Sequence, residues 1–94
     1  MLTQAVTPRQ KRALKFAQIV VEHYGYTVHV PSRQLSKELT AKGYQISFLT
    51  VIHYWETLER MGYVTRTMDA RIFGVTYYFN RYATKKLIAA KADL

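Results

Sequence analysis

Ser47, Thr50, His53 and Thr57 are the side chains whose type and spacing first suggest chemistry. They are short or polar, three or four residues apart. They fall away from Val51, Trp55 and Leu58, which recur at i, i+4 and i+7 and so share one face of a helix. Hydroxyls and an imidazole in that arrangement can exchange single hydrogen bonds with a ligand, but they do not form a catalytic set. Paired carboxylates suited to acid–base work, a phosphate-binding glycine loop and a nucleophile motif are all missing from the chain. His23, His29 and His53 are too scattered to ligate a metal together, and without cysteine there is neither a thiolate site nor a disulfide. The expectation is a binding protein, not an enzyme, with no cofactor and no metal.

Charge points to the class of partner. Fourteen Lys and Arg against six Asp and Glu leave a net charge of +8. Seven of the basic residues lie before Phe48 and seven after it, so the excess is spread along the chain. A fold so charged attracts polyanions, nucleic acid foremost. Eight tyrosines keep stacking on single strands or RNA open as a second mode, although most sit where packing accounts for them. No apolar run approaches the roughly 20 residues of a membrane span, and the start lacks a signal-peptide core. A soluble intracellular protein of the cytoplasm or nucleoid is therefore expected.

The elements that must position these residues fit one domain over 1–94, with 1–6 expected to be flexible. Thr7-Pro8 starts a helix, with Thr as N-cap and Pro at the first position. That helix runs to Tyr24, stopped by Gly25, with Ala13, Phe16, Ala17, Val20, Val21 and Tyr24 inward. Tyr26 to Val30 reads as a short strand ended by Pro31. Ser32 is the expected N-cap of a helix from Arg33 to Lys42, with Leu35 and Leu39 inward and Gly43 closing it. Only Tyr44 to Ile46 separate this from a long helix over about 46–61, ended by Gly62. Strands Tyr63–Met68 and Val75–Asn80 follow, joined by a loop carrying Arg71. A last helix occupies Tyr82 to about Ala92. The fold class is α+β, in the order α-β-α-α-β-β-α.

The run Ser47-x-x-Thr50-Val51-x-x-x-Trp55-x-x-Leu58-Glu59-x-x-Gly62-Tyr63-Val64 resembles the recognition-helix-to-wing junction of the winged helix-turn-helix superfamily, with Trp in the place normally held by Leu. Upstream, Leu2-Thr3, Arg9-Gln10, Gly25, Pro31-Ser32-Arg33 and Leu35 resemble the DNA-binding domain of LexA-type repressors. Small archaeal-virus and plasmid winged-helix regulators are similar in size. The likeness spans about 7–80. It implies double-stranded DNA as ligand, with the second paired helix in the major groove and the wing (63–80) on backbone or minor groove. On matching positions it implies that Ser47, Thr50, His53, Tyr54 and Thr57 face the groove. It implies that Ser32, Arg33 and Gln34 hold a phosphate at a helix start, and that Arg66, Thr67 and Arg71 belong to the wing. Arg9 and Arg12 would grip further phosphates.

One departure qualifies the resemblance. Between Ser47 and Glu59 there is no Arg, Lys, Asn or Gln, the residues that read guanine or adenine bidentately. Ser, Thr, His and Tyr can touch thymine methyls and form single hydrogen bonds, so backbone contacts should dominate affinity. Glu56 and Glu59 would repel phosphate, so they should face away from DNA or pair with Arg60 or a lysine. The expected function is a sequence-selective duplex-binding transcriptional regulator. It is expected to act as a homodimer through the last helix (82–94), using Leu87, Ile88 and Leu94 with Tyr82 and Ala83. The alternatives are a winged helix used for protein–protein contact in a transcription or replication complex, and a single-strand or RNA binder.

Overall fold

The computed structural model describes residues 6–69 and 74–89. In order it contains α1 (Pro8–Tyr24), β1 (Thr27–Val28), α2 (Ser32–Ala41), α3 (Phe48–Arg60), β2 (Val64–Asp69), β3 (Gly74–Phe79) and α4 (Arg81–Ala89). The three strands form one antiparallel sheet in the order β1-β3-β2. Four helices with such a sheet make a small α+β fold, and the layout is compatible with a winged helix. Arg71, the positions beyond Ala89 (Leu94 among them) and residues 1–5 lie outside the described residues.

Local chemistry accounts for the boundaries. Thr7 caps α1 through a capping box: its hydroxyl accepts the Gln10 N–H and its own N–H donates to Gln10 Oε1. Gly25, at φ 81°, ends the helix and donates to Val21 O. The strand expected over Tyr26–Val30 shrinks to Thr27–Val28, paired with Tyr78 and Tyr77 of β3. Its neighbours hold on differently: Tyr26 O accepts from Phe79 N–H, and His29 Nδ1 sits 3.1 Å from Thr76 Oγ1.

Ser32 is not the cap of α2. Pro31 occupies that place with extended backbone, its carbonyl accepting the Leu35 N–H, and Ser32 becomes the first helical residue. Ser47 caps α3, its Oγ accepting the Thr50 N–H. Asn80, expected at the end of a strand, caps α4 through Oδ1 and the Ala83 N–H. The β2–β3 pairs run from Val64↔Phe79 to Asp69↔Gly74.

The core forms where α1, α2, α3 and the sheet meet. Val51, Trp55 and Leu58 are buried as their spacing predicts, with Phe16, Ala17, Val20, Leu35 and Leu39 around them. Trp55 lies flat on Tyr77, centroids 4.0 Å apart, and meets Phe16 edge-on at 5.2 Å. Gln18 Nε2 ties α4 to α1 by donating to Leu87 O. Tyr24 OH ties the end of α1 to α2 by donating to Glu38, whose other oxygen accepts from Gln34 Nε2.

Two features of this packing have measurable consequences. Thr84 is fully buried, and its Oγ1 has no hydrogen-bond partner among the described residues. Thr84→Val keeps the shape and removes the orphan hydroxyl, so it should stabilise by about 1 kcal/mol. That is about 4–8 °C in Tm for a domain of this size, and a lowered Tm in thermal unfolding would count against it.

Glu38 is held below the ordinary glutamate range by the Tyr24 hydroxyl first and Gln34 second. Burial, then the bond to Glu38, pushes Tyr24 up to about 12, which keeps it a donor. A carboxylate with a depressed folded pKa adds stability above its unfolded pKa and loses it as pH falls through the folded value. The stability gap between the native chain and Tyr24→Phe should therefore be full at pH 7. It should close as pH drops from about 4.3 toward the lowered folded value, as read from urea midpoints.

Candidate nucleic-acid interface

The α2–turn–α3 unit presents the candidate site, and its turn is fixed from within. Ser36 Oγ donates to Ile46 O at 2.7 Å, and Thr40 Oγ1 reaches the same carbonyl at 3.5 Å. Gly43, at φ 100°, lets the chain reverse so that Tyr44 N–H bonds back to Leu39 O. With Val51, Trp55 and Leu58 turned inward, helical rotation of 100° per residue leaves Leu49, His53, Glu56 and Arg60 on the outermost line of α3. All four are exposed, Leu49 at 64%.

The residues expected on that face divide. Ser47 and His53 are exposed, and Thr50 is half-buried with its hydroxyl 2.8 Å from Ser47 Oγ. Tyr54 is turned toward α1, its ring 5.2 Å from Phe16 and tilted by 45°. Thr57 is 9% exposed and donates to His53 O at 2.9 Å. Thr57 is therefore not on the outer face, because the start of α1 covers that side of α3: Thr57 lines a cleft of about 570 Å³ with Thr7, Arg9, Gln10, Arg60 and Tyr63.

The cations divide as well. Arg33 is exposed at the start of α2, its Cζ 4.4 Å above the Phe48 ring, which holds the guanidinium beside the first turn of α3. Lys37 is exposed one turn further on. Neither α2 nor α3 has an acidic residue in its first turn, so both positive helix ends are uncompensated. Gln34, exposed, donates through Nε2 to Glu38, which leaves only part of its amide for a ligand. Ser32 is half-buried at the helix start.

Arg66 lies 3.9 Å from Glu59, a surface pair that partly offsets both charges. Residues paired across antiparallel strands share a face. Arg66 opposite Tyr77 is therefore on the α3 side of the sheet, and Thr67 opposite Thr76 is on the other. Arg9 faces the cleft with Arg60, whereas Arg12 lines a separate, largely apolar groove with Lys15, Tyr44, Gln45, Ile46 and Tyr54.

The outer surface therefore has a basic and apolar end, formed by Arg33, Lys37, Ser47, Leu49 and His53, and an acidic stretch at Glu56 and Glu59. Leu49, Lys37 and Arg60 were missed by motif reasoning. Leu49 was detectable: two residues before Val51, it falls on the opposite side of the helix. Among the described residues no group of three His, Asp or Glu could hold a metal, and no helix is long and apolar enough to cross a membrane. No family model, no curated protein and no solved structure matches this chain.

Proposed function

We propose that the chain is a winged-helix, duplex-DNA-binding protein of the cytoplasm or nucleoid that acts as a transcriptional regulator. The N-terminal half of α3 enters the major groove, and the starts of α2 and α3 meet the phosphate backbone. The observation that carries this reading is the pairing of two acid-free helix starts with Arg33 laid over Phe48. An anion at that point meets helix-terminal N–H groups and a preset guanidinium together. The net charge of +8 supplies the long-range attraction, and β2–β3 forms the wing. No catalytic step is part of the proposal.

Pairing of two copies through α4 extends the reading. Tyr82 (71% exposed) projects from a helix that otherwise packs on α1, whereas Leu87, expected in the twofold contact, is buried in the core and Ile88 lines a cleft with Gln18 and Val21 of α1. A twofold pair would present two α3 helices to an inverted repeat. The rival use of the fold, docking a protein partner, is favoured by the exposed apolar side chains of Leu49 on α3 and Met68 on β2 and by the exposed Glu56 on α3.

Duplex affinity should fall steeply between 50 and 200 mM salt, and Arg33→Ala should weaken all sequences alike while lowering the log–log salt slope by about 0.9. Anisotropy titrations read both, and no duplex binding at 50 mM salt removes the proposal. Sedimentation at tens of micromolar should give about twice the 11.0 kDa of one chain; a single-chain mass alone removes the twofold arrangement. Selection from a random duplex pool should recover an inverted repeat.

A further inference from the structure

We infer that α3 reads the C5-methyl groups of thymine through Leu49, so that the specific ligand is duplex with A·T pairs beneath the N-terminal half of this helix. This rests on the duplex-binding reading above and names what the site discriminates. Leu49 is the most exposed apolar side chain on α3, at 64%. It stands in the first turn, two residues past the Ser47 cap and on the outermost line of the helix. Half-buried Ile52 and exposed His53 follow at i+3 and i+4 on the same side.

A leucine pressed against a base edge cannot replace the hydrogen bonds that the edge had with water. Guanine N7 and O6, cytosine N4 and adenine N6 and N7 would each lose a partner there, and a desolvated, unpaired polar group is penalised. Thymine's methyl is the one apolar feature in the major groove, so Leu49 discriminates by attraction and by penalty together. The neighbours reinforce this. The Thr50 hydroxyl is engaged with Ser47, and His53 offers at most a single bond, which a thymine O4 can accept. Arg33, beside the first turn of α3, lies over the Phe48 ring and is given to phosphate on the reading above. The guanidinium on α3 itself, Arg60, is eleven residues along, about 16 Å away at 1.5 Å per residue. It also lines the cleft with Arg9 instead of standing beside Leu49.

The test uses a duplex recovered from the random pool and the same duplex with deoxyuridine in place of thymine, which deletes only the methyl. The native chain should bind the uridine duplex more weakly, about fourfold per methyl buried. Leu49→Ala should bind both duplexes equally, with an unchanged salt slope, since no charge is altered. Leu49 is exposed, so the variant's Tm should match the native chain.

Equal binding of the two duplexes by the native chain overturns the inference while tight, salt-dependent binding leaves the parent reading standing. So does a thymine preference that survives Leu49→Ala, or a recovered consensus without A·T pairs. Absence of duplex binding at 50 mM salt overturns the parent reading and this one with it.

Discussion

Trp55 lies within 3° of parallel to Tyr77 at 4.0 Å, while Phe16 meets its edge at 5.2 Å and Phe79 stands 5.6 Å off. One side chain on α3 thus touches α1 and the middle and end of β3 at once. Its Nε1 is buried without a partner among the described residues, a cost of about 1–3 kcal/mol. Burying some 150–250 Å² of ring at about 25 cal/mol/Å² contributes roughly 4–6 kcal/mol, so packing outweighs the lost hydrogen bond. A leucine in the same place would avoid the orphan donor but could not span both partners. The clamp sets the rotation of α3 about its own axis. Once Trp55 faces the sheet, the positions of Leu49, His53, Glu56 and Arg60 follow from helical geometry alone.

That rotation sorts charge as well as shape. The leading end of α3 lies beside Arg33 and Lys37 and has no carboxylate in its first turn. Its trailing half carries Glu56 and Glu59, the latter 3.9 Å from Arg66. A polyanion laid along the whole helix would meet attraction at one end and repulsion further on. On the proposed reading the helix therefore enters a groove end-first. Arg9 and Arg60, brought together from opposite ends of two antiparallel helices, restore positive charge at the far end, across the cleft that also buries Thr57. On that reading, two attractive ends around an acidic stretch would favour one placement of the helix over others, which net charge alone could not do.

Much of the architecture was legible in the residues because it depends on local rules. Thr7-Pro8, Gly25 and Gly62 mark helix ends through capping and positive φ, and the Val51, Trp55, Leu58 stripe identifies the inward face. What failed depends on neighbours distant in sequence. Thr57 is polar and reads as outward until the start of α1, nearly fifty residues earlier in the chain, is seen to cover it. β1 is short because only its Thr27–Val28 pair meets β3, and no local pattern announces where an edge strand stops. Pro31 displaced Ser32 as cap because an extended backbone with a free carbonyl suffices for that position.

Other parts of the site were readable and passed over. Alternation along β2 already forbids Arg66 and Thr67 from sharing a face, and the i, i+4 spacing of Gln34 and Glu38 foretells their bond. Leu49 was hidden by its type, since an apolar residue in an amphipathic helix is assigned to the core by default.

Leu49 also bears on whether this surface serves nucleic acid or protein. A protein partner using the apolar residues would need to cover both Leu49 on α3 and Met68 on β2, with Glu56 and the Glu59–Arg66 pair within the contact. Glu59 already has Arg66, but burying Glu56 requires a cation from the partner, and a cationic partner would be repelled by a chain of +8 as it approached. Duplex DNA makes the opposite demand. On the proposed reading it would be drawn in by the net charge and would need only the leading end of α3 to be dehydrated. It can leave Glu56 in the water that lines a wide groove. The same leucine would be a minor element of a protein interface and the principal apolar element of a groove contact, and the charge around it is the reason the latter is proposed.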